Sequence, residues 1–203
     1  MKMLAPSKTE SALLAPFQGL PLKHIHVPST KAQFASATDE IRAAGVAGFD
    51  TESKPTFVRG DVSEGPHIVQ FAIHSKAFIF QLHHADCRPF LIDLLESAEV
   101  LKVGFGLESD HGQIHMKLGI RLRSVLDLGS VFRQDGYRNT TGVRAAVAIV
   151  LNQNFHKSKR ITTSNWASAE LTESQLLYAA NDAFGALKVL SALNRPHKDL
   201  PIR

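Results

Sequence analysis

The 203-residue chain contains one cysteine, Cys87, so no internal disulfide can form, and no Cys/His group has the spacing of a zinc site. That scarcity suits a reducing compartment. No uninterrupted apolar run approaches the ~18 residues that span a bilayer, and Pro6, Glu10 and Pro16 break up the N-terminal stretch before a leader-like apolar core develops. A soluble, cytoplasmic protein with no membrane partner is therefore expected. Internal repeats and low-complexity segments are also missing. With 44% hydrophobic and 21% charged residues, the composition excludes disorder, collagen-like repeats and coiled coil as descriptions of the whole. At ~100–200 residues per domain, one domain is expected.

Charge is unevenly placed. The chain has 23 Lys+Arg and 19 Asp+Glu, a formal +4, but the first hundred residues carry 9 − 11 = −2 and the remainder 14 − 8 = +6. Between Lys117 and Arg160 nine basic residues face two acidic ones. Segregation of this kind points to a polyanionic partner.

Hydropathy period divides the chain. Residues 1–21, rich in Pro, Ser and Ala, follow neither period, so a flexible N-terminal arm is expected there and a single domain over residues 22–203. Strands are expected over 22–27, 46–52, 100–104 and 124–126, with a hairpin formed by 67–74 and 77–82. Residues 55–66 read as a loop. Helices are expected from Ser29 or Thr30 up to Gly45, around the stripe Phe90, Leu91, Leu94 and Leu95, and over 107–118, 142–151 and 172–193. The last opens with Thr172-Glu173-Ser174-Gln175, a capping box that satisfies two free amides. The class is α/β.

Acids that break these patterns are the informative residues, because a charge driven toward an apolar interior is costly unless something compensates it. Asp50 and Glu52 end the 46–52 strand, so a period of two points both to one face and Phe49 and Thr51 to the other. Adjacent like charges repel, and a hard divalent cation, which prefers oxygen ligands, would relieve them. A solvated strand end is the alternative. At ~100° per residue, Asp110 shares the apolar face of the 107–118 helix with Leu107, Ile114 and Leu118. A buried salt bridge or a favourable helix-start charge also accounts for it. Tyr178 and Asp182, one turn apart, stack on the side of the last helix opposite Leu176, Ala180, Ala183, Leu187 and Leu190. Alone, they describe an exposed face. Brought together, the four acids would carry a charge that two divalent ions neutralise, and metals ~3.5–4 Å apart are the usual device for in-line attack on a phosphodiester.

Gly48-Phe49-Asp50-Thr51-Glu52, Lys102-Val103-Gly104-Phe105-Gly106-Leu107-Glu108-Ser109-Asp110 and Tyr178-Ala179-Ala180-Asn181-Asp182-Ala183 together resemble the three motifs of the DEDDy subgroup of 3′-to-5′ exonucleases. Within it, the Werner-type and ribonuclease D-like domains are most similar. Leu126-Asp127-Leu128, Lys157-Ser158-Lys159, Ser164-Asn165-Trp166 and Leu171-Thr172-Glu173-Ser174-Gln175 extend the resemblance, which runs from about Leu22 to Leu193.

The resemblance implies a ribonuclease H-like fold, a mixed central sheet flanked by helices. It further implies two divalent ions, Mg²⁺ or Mn²⁺. Asp50 would ligate both, Glu52 and Asp182 would complete one site, and Asp110 would hold the second ion chiefly through water. Tyr178 would orient the attacking water. Nucleoside 5′-monophosphates would leave from a free 3′ end of DNA or RNA. Werner-type domains often carry Trp after the first-motif Glu; here Ser53-Lys54-Pro55-Thr56-Phe57 follows, with Phe57 as a replacement contact to the terminal nucleotide.

Arg133, Arg138, Arg144, Lys157, Lys159 and Arg160 are expected along the phosphate backbone, which would make affinity fall with salt; a solvated face is the alternative. Trp166 reads as a core anchor rather than a stacking platform. Two other readings compete. Gly104-Phe105-Gly106 followed by Asp127 imitates a dinucleotide fingerprint, but leaves Asp50, Glu52 and Asp182 without a role. A non-catalytic nucleic-acid- or protein-binding module on the same fold would leave clustered acids to repel a phosphate backbone.

Overall fold

The computed structural model describes residues 3–56, 60–137 and 141–203, so Phe57 and Arg138 lie outside the described residues. The first half of the chain forms α1 Lys8–Ala12, β1 Ala15–Pro16, β2 Ile25–His26, α2 Lys31–Ala44, β3 Val46–Glu52, β4 Ile68–Ala72, β5 Ala77–Gln81 and α3 Arg88–Glu96. The second forms β6 Leu101–Gly104, α4 Leu107–Leu118, β7 Val125–Asp127, α5 Leu128–Gln134, α6 Val143–Leu151, β8 Gln153–Asn154, α7 Lys159–Thr162 and α8 Glu173–Leu193.

A six-stranded sheet in the order β2-β5-β4-β3-β6-β7 is the frame. The neighbours β3–β4 and β4–β5 run antiparallel, while β2–β5, β3–β6 and β6–β7 run parallel. The hairpin is antiparallel because a short turn joins its strands; the parallel neighbours are fed by crossover helices. Every residue of β4 and β5 is buried, since helices cover both faces of the sheet. On one face, residues of α2, α3 and α4 such as Phe34, Ile41, Leu91, Leu94 and Ile114 close over Phe49, Phe71 and Phe80. Phe49 and Phe71 lie 5.4 Å apart, and Phe80 meets Phe71 edge-on at 5.9 Å. Truncating one of these rings would cost ~3–5 kcal/mol.

On the other face α8 packs Ala179, Ala180 and Ala183 against Ile68, Ala72 and Ile79. Small side chains bring this helix close to the sheet. It is long and apolar enough to cross a membrane by length and composition, a property spread over the helix that a search for uninterrupted apolar runs misses. Here that apolar face belongs to the core. The Thr172–Gln175 box caps it as expected, and Thr30 with Gln33 caps α2 in the same way.

Residues 3–21, read as following neither period, carry regular elements although most of their side chains are exposed: Ser7 and Glu10 form a capping box for α1, and β1 pairs parallel with β8. Phe17 lies 5.1 Å from Phe155 and 6.2 Å from Phe184, and Leu20 is buried. The expected strand over 22–27 shortens to β2 after a 3₁₀ turn at Leu22–His24.

Candidate active site

β3 occupies the middle of the sheet, and its last residues bring Asp50 and Glu52 to the α8 side. The helix can come this near because residue 48 is glycine: a Cβ there would lie 1.8 Å from the carbonyl oxygen of Ala183. Asp182 precedes Ala183, so the same close approach sets its carboxylate against the strand end. One oxygen from each of Asp50, Glu52 and Asp182 lies within 4.8 Å of the others.

Burial and mutual repulsion act together on these acids. Burial, reinforced by the charges of Asp110, Asp182 and Glu52, raises the Asp50 carboxyl well above the usual range. Burial beside Asp182 pushes Glu52 up to about 8. Asp182, only 4% exposed, is also raised by burial, against the pull of Lys157. The set cannot be fully ionised at neutral pH without added positive charge.

Asp110 enters from the opposite layer. It lies in the first turn of α4, is 8% exposed, and accepts a hydrogen bond from the Thr51 hydroxyl. Thr51 shares its face with Phe49, as expected, and α4 covers that face. Asp110 is therefore outside the close trio but raises Asp50 through its charge, and burial raises Asp110 in turn. The sequence reading took the four acids as one set; the fold arranges them as three plus one across a strand.

Tyr178 lies one turn before Asp182, half-buried, with its hydroxyl 2.8 Å from Thr162 Oγ1. Burial and the Asp182 charge push its pKa up to about 12, so the phenol keeps its proton at neutral pH. Trp166 is buried, donates from Nε1 to the Thr162 carbonyl at 3.2 Å and packs 5.9 Å from the Tyr178 ring. It anchors the tyrosine and offers no free face to a base.

Lys157, expected along a phosphate path, has its ammonium 2.6 Å from Asp182 Oδ2 and 5.4 Å from the centre of the Tyr178 ring. Burial opposes its charge, but Asp182, Tyr178 and Asp50 together outweigh that and raise its pKa. Lys159 and Arg160 are exposed at the start of α7, and Arg160 borders a cavity that also reaches Tyr178 and Asp182. Arg133 and Arg144 do not border that cavity.

Other residues escaped notice in the sequence. Gln70 is fully buried and lies opposite Asp50 in the β3–β4 register, and its amide oxygen and nitrogen have no hydrogen-bond partner among the described residues. The signal was present, since Gln70 interrupts the apolar run Ile68-Val69-Gln70-Phe71-Ala72. Asp127 accepts from the amides of Gly106, Leu107 and Gly129 at 3.1, 3.2 and 2.9 Å. It thereby ties the starts of α4 and α5 together, and the carboxylate that a dinucleotide ribose would need is already engaged.

Comparison with known proteins agrees with this geometry. The sequence profile of the 3′-5′ exonuclease family matches residues 25–196. The bifunctional 3′-5′ exonuclease/ATP-dependent helicase WRN of Mus musculus is 30% identical over 171 residues, covering 77% of this chain and 12% of that protein. A 3′-5′ exonuclease of Arabidopsis thaliana is 28% identical over 162 residues, 78% of this chain and 55% of the relative. The chain thus spans only part of the length of these relatives. Among solved structures, the Aedes aegypti Nibbler EXO domain superposes with a TM-score of 0.73 at 22% identity, covering 89% of this chain and 93% of the other. Trypanosoma brucei RNase D in complex with RNA U12 gives 0.75 at 20% identity, covering 87% and 64%. The fold is thus that of the ribonuclease D-like, ribonuclease H-like exonucleases, and the chain belongs to the 3′-5′ exonuclease domain family.

Proposed function

We propose that this chain hydrolyses phosphodiester bonds from the 3′ end of a nucleic acid strand, with two divalent cations, Mg²⁺ or Mn²⁺, and releases nucleoside 5′-monophosphates. The observation that carries this reading is the convergence of Asp50, Glu52 and Asp182 with the flanking Asp110 and Tyr178. The residues fit a hard cation: every donor is a carboxylate oxygen, three carboxylates share one small volume, and buried Asp182 Oδ1 has no hydrogen-bond partner among the described residues. Asp50, Glu52 and Asp182 would hold one ion, and Asp50 with Asp110 the second. When bound, the pair supplies activation of water and neutralises charge on the leaving oxygen.

The chain's own groups do the rest. Tyr178, neutral and anchored by Thr162 and Trp166, orients the attacking water through its hydroxyl. Thr51 fixes the carboxylate of Asp110. Lys157, within reach of Asp182, adds a positive charge where the phosphate must approach three acids. A pure binding module accounts poorly for buried carboxylates that would repel its ligand. RNA is a reasonable first substrate, because the Trypanosoma brucei RNase D was solved with RNA U12.

The test is a side-by-side degradation of matched DNA and RNA oligonucleotides in Mg²⁺, in Mn²⁺ and in chelator. Metal-dependent loss of 3′-terminal nucleotides from at least one of them is expected. No such loss on any substrate sinks the enzyme reading.

A further inference from the structure

β4 is buried along its whole length, and four of its five residues are apolar. Strand period divides them between two layers. Val69 and Phe71 join the cluster under α2, α3 and α4, whereas Ile68 and Ala72 join the cluster under α8. Gln70 alternates with Ile68 and Ala72 and therefore faces α8.

Its neighbours on that face are few. In register, Ile79 of β5 stands opposite Gln70 on one side and Asp50 of β3 on the other. Ala179, Ala180 and Ala183 of α8 close the layer from above. Directly opposed residues of an antiparallel pair hold their Cβ atoms ~4.5–5.5 Å apart, within reach of a glutamine side chain. Asp50 is thus the polar side chain that flanks Gln70 in the ladder.

A glutamine here is unfavourable for packing alone. Its amide is fully buried, and neither the oxygen nor the nitrogen has a hydrogen-bond partner among the described residues. Leucine or methionine would fill the place among these apolar neighbours and leave nothing unpaired. What the amide has and they lack is an N–H donor without a charge. Three acids meet beside it, and a lysine would compete with cations for them. A neutral donor takes one lone pair of a carboxylate and leaves the others for a metal. Asp50 Oδ1 accepts from the Thr51 amide at 2.9 Å. A single donor leaves the carboxylate free to turn; a second from the β4 side removes that freedom.

We propose that Gln70 is a positioning residue for Asp50: its amide nitrogen donates to the Asp50 carboxylate and fixes the direction in which the remaining lone pairs face the cations. The inference rests on the exonuclease reading above, in which Asp50 is the ligand shared by both ions. Groups that orient a metal ligand from behind commonly change affinity or activity ~10–100-fold when removed.

The full chain would be compared with Gln70→Met and with Ile79→Val, which loosens the same layer from the other side of Gln70 without removing an amide. Three quantities decide: the metal-free thermal midpoint, the Mn²⁺ Kd without substrate from the paramagnetic resonance of the free ion, and kcat and KM for 3′-nucleotide release. Gln70→Met should keep or raise the midpoint, raise the Mn²⁺ Kd about tenfold and lower kcat about tenfold, at constant KM. Ile79→Val should lower the midpoint and leave the Kd unchanged. If Gln70→Met does not fold, Gln70→Leu takes its place, and failure of both makes Gln70 a structural residue and overturns the proposal.

An unchanged Kd in a folded Gln70 variant would overturn the positioning role and leave the activity standing. A Kd that rises equally in Ile79→Val would also overturn it, because loosening the layer would then suffice. A wild type that binds Mn²⁺ but releases no nucleotide would remove the activity, while the Kd comparison still decides whether Gln70 holds Asp50. If the wild type binds no Mn²⁺, the metal site and the positioning role fall together.

Discussion

Asp50, Glu52 and Asp182 stand on β3 and α8, two regular elements pressed together at Gly48. Arg160, His156 and residues 16–21, which border a cavity that also reaches Asp182, stand on the four-residue α7, the two-residue β1 and connecting segments. The first region is held by ladder hydrogen bonds and a layer of alanines, the second by a few contacts such as Leu20 to Asn181 and Phe17 to Asn154. Side chains on strands and helices hold tighter geometry than side chains on loops. Cation chemistry depends on that precision, while contacts to a flexible strand tolerate adjustment. On the proposed function, substrate choice could change in the second region without disturbing the first.

Substitutions should separate the two regions, and the largest effect belongs to the rigid one. Asp50→Ala should lower the rate of 3′-nucleotide release by ~10³ or more. It should not lower the metal-free thermal midpoint, because it removes one of several mutually repelling buried acids. A parallel loss of midpoint would make Asp50 a structural residue. Tyr178→Phe should cost ~10² in kcat with little change in KM, since the ring still packs on Trp166. A KM effect alone would move Tyr178 from the chemistry to strand binding.

Protonation offers a probe of intermediate size. Glu52 is raised from about 4.5 to about 8 in the folded protein, and the neighbouring acids are raised as well. Between those pH values the metal-free native state holds more protons than the unfolded chain, so stability is greatest at the acid end and falls as pH rises. Melting without divalent ions should show a lower midpoint at pH 8 than at pH 5. Mn²⁺ should raise it most at pH 8, where the carboxylates are free of protons. A flat profile that Mn²⁺ leaves unchanged would deny the cluster its cation.

The smallest effect falls on the loop side. Asn181→Ala unties Leu20 and should cost ~1 kcal/mol of stability, with a raised oligonucleotide KM and an unchanged kcat.

What could be read beforehand follows the same division. The bounds 46–52 and 107–118 and the Thr172 cap come from local period and local chemistry, and β3, α4 and α8 match them. Asp50, Glu52 and Asp110 were visible because each breaks an apolar pattern, whereas Asp182, read with Tyr178 as part of an exposed face and found buried, was picked out by that pairing and by the resemblance. Gln70 breaks one too and could have been found by the same rule. The pairing of β1 with β8 joins segments far apart in the chain, and nothing within Ala15-Pro16 announces its partner. The capping box of Ser7 and Glu10 was a usable signal for α1, hidden by the Pro and Ser around it. Lys157 lay inside a basic run whose charge suggested solvent or phosphate, whereas its contact with Asp182 depends on how the segment before α7 folds back over α8.

The most direct test of the central claim is to follow a 5′-labelled single strand over time with the wild-type protein and Mn²⁺, identifying the released products by mass. The expected result is a ladder shortening one nucleotide at a time from the 3′ end, with nucleoside 5′-monophosphates as products, and no reaction in chelator or with Asp50→Ala. Internal cuts, nucleoside 3′-monophosphates, or shortening that persists in chelator would contradict it.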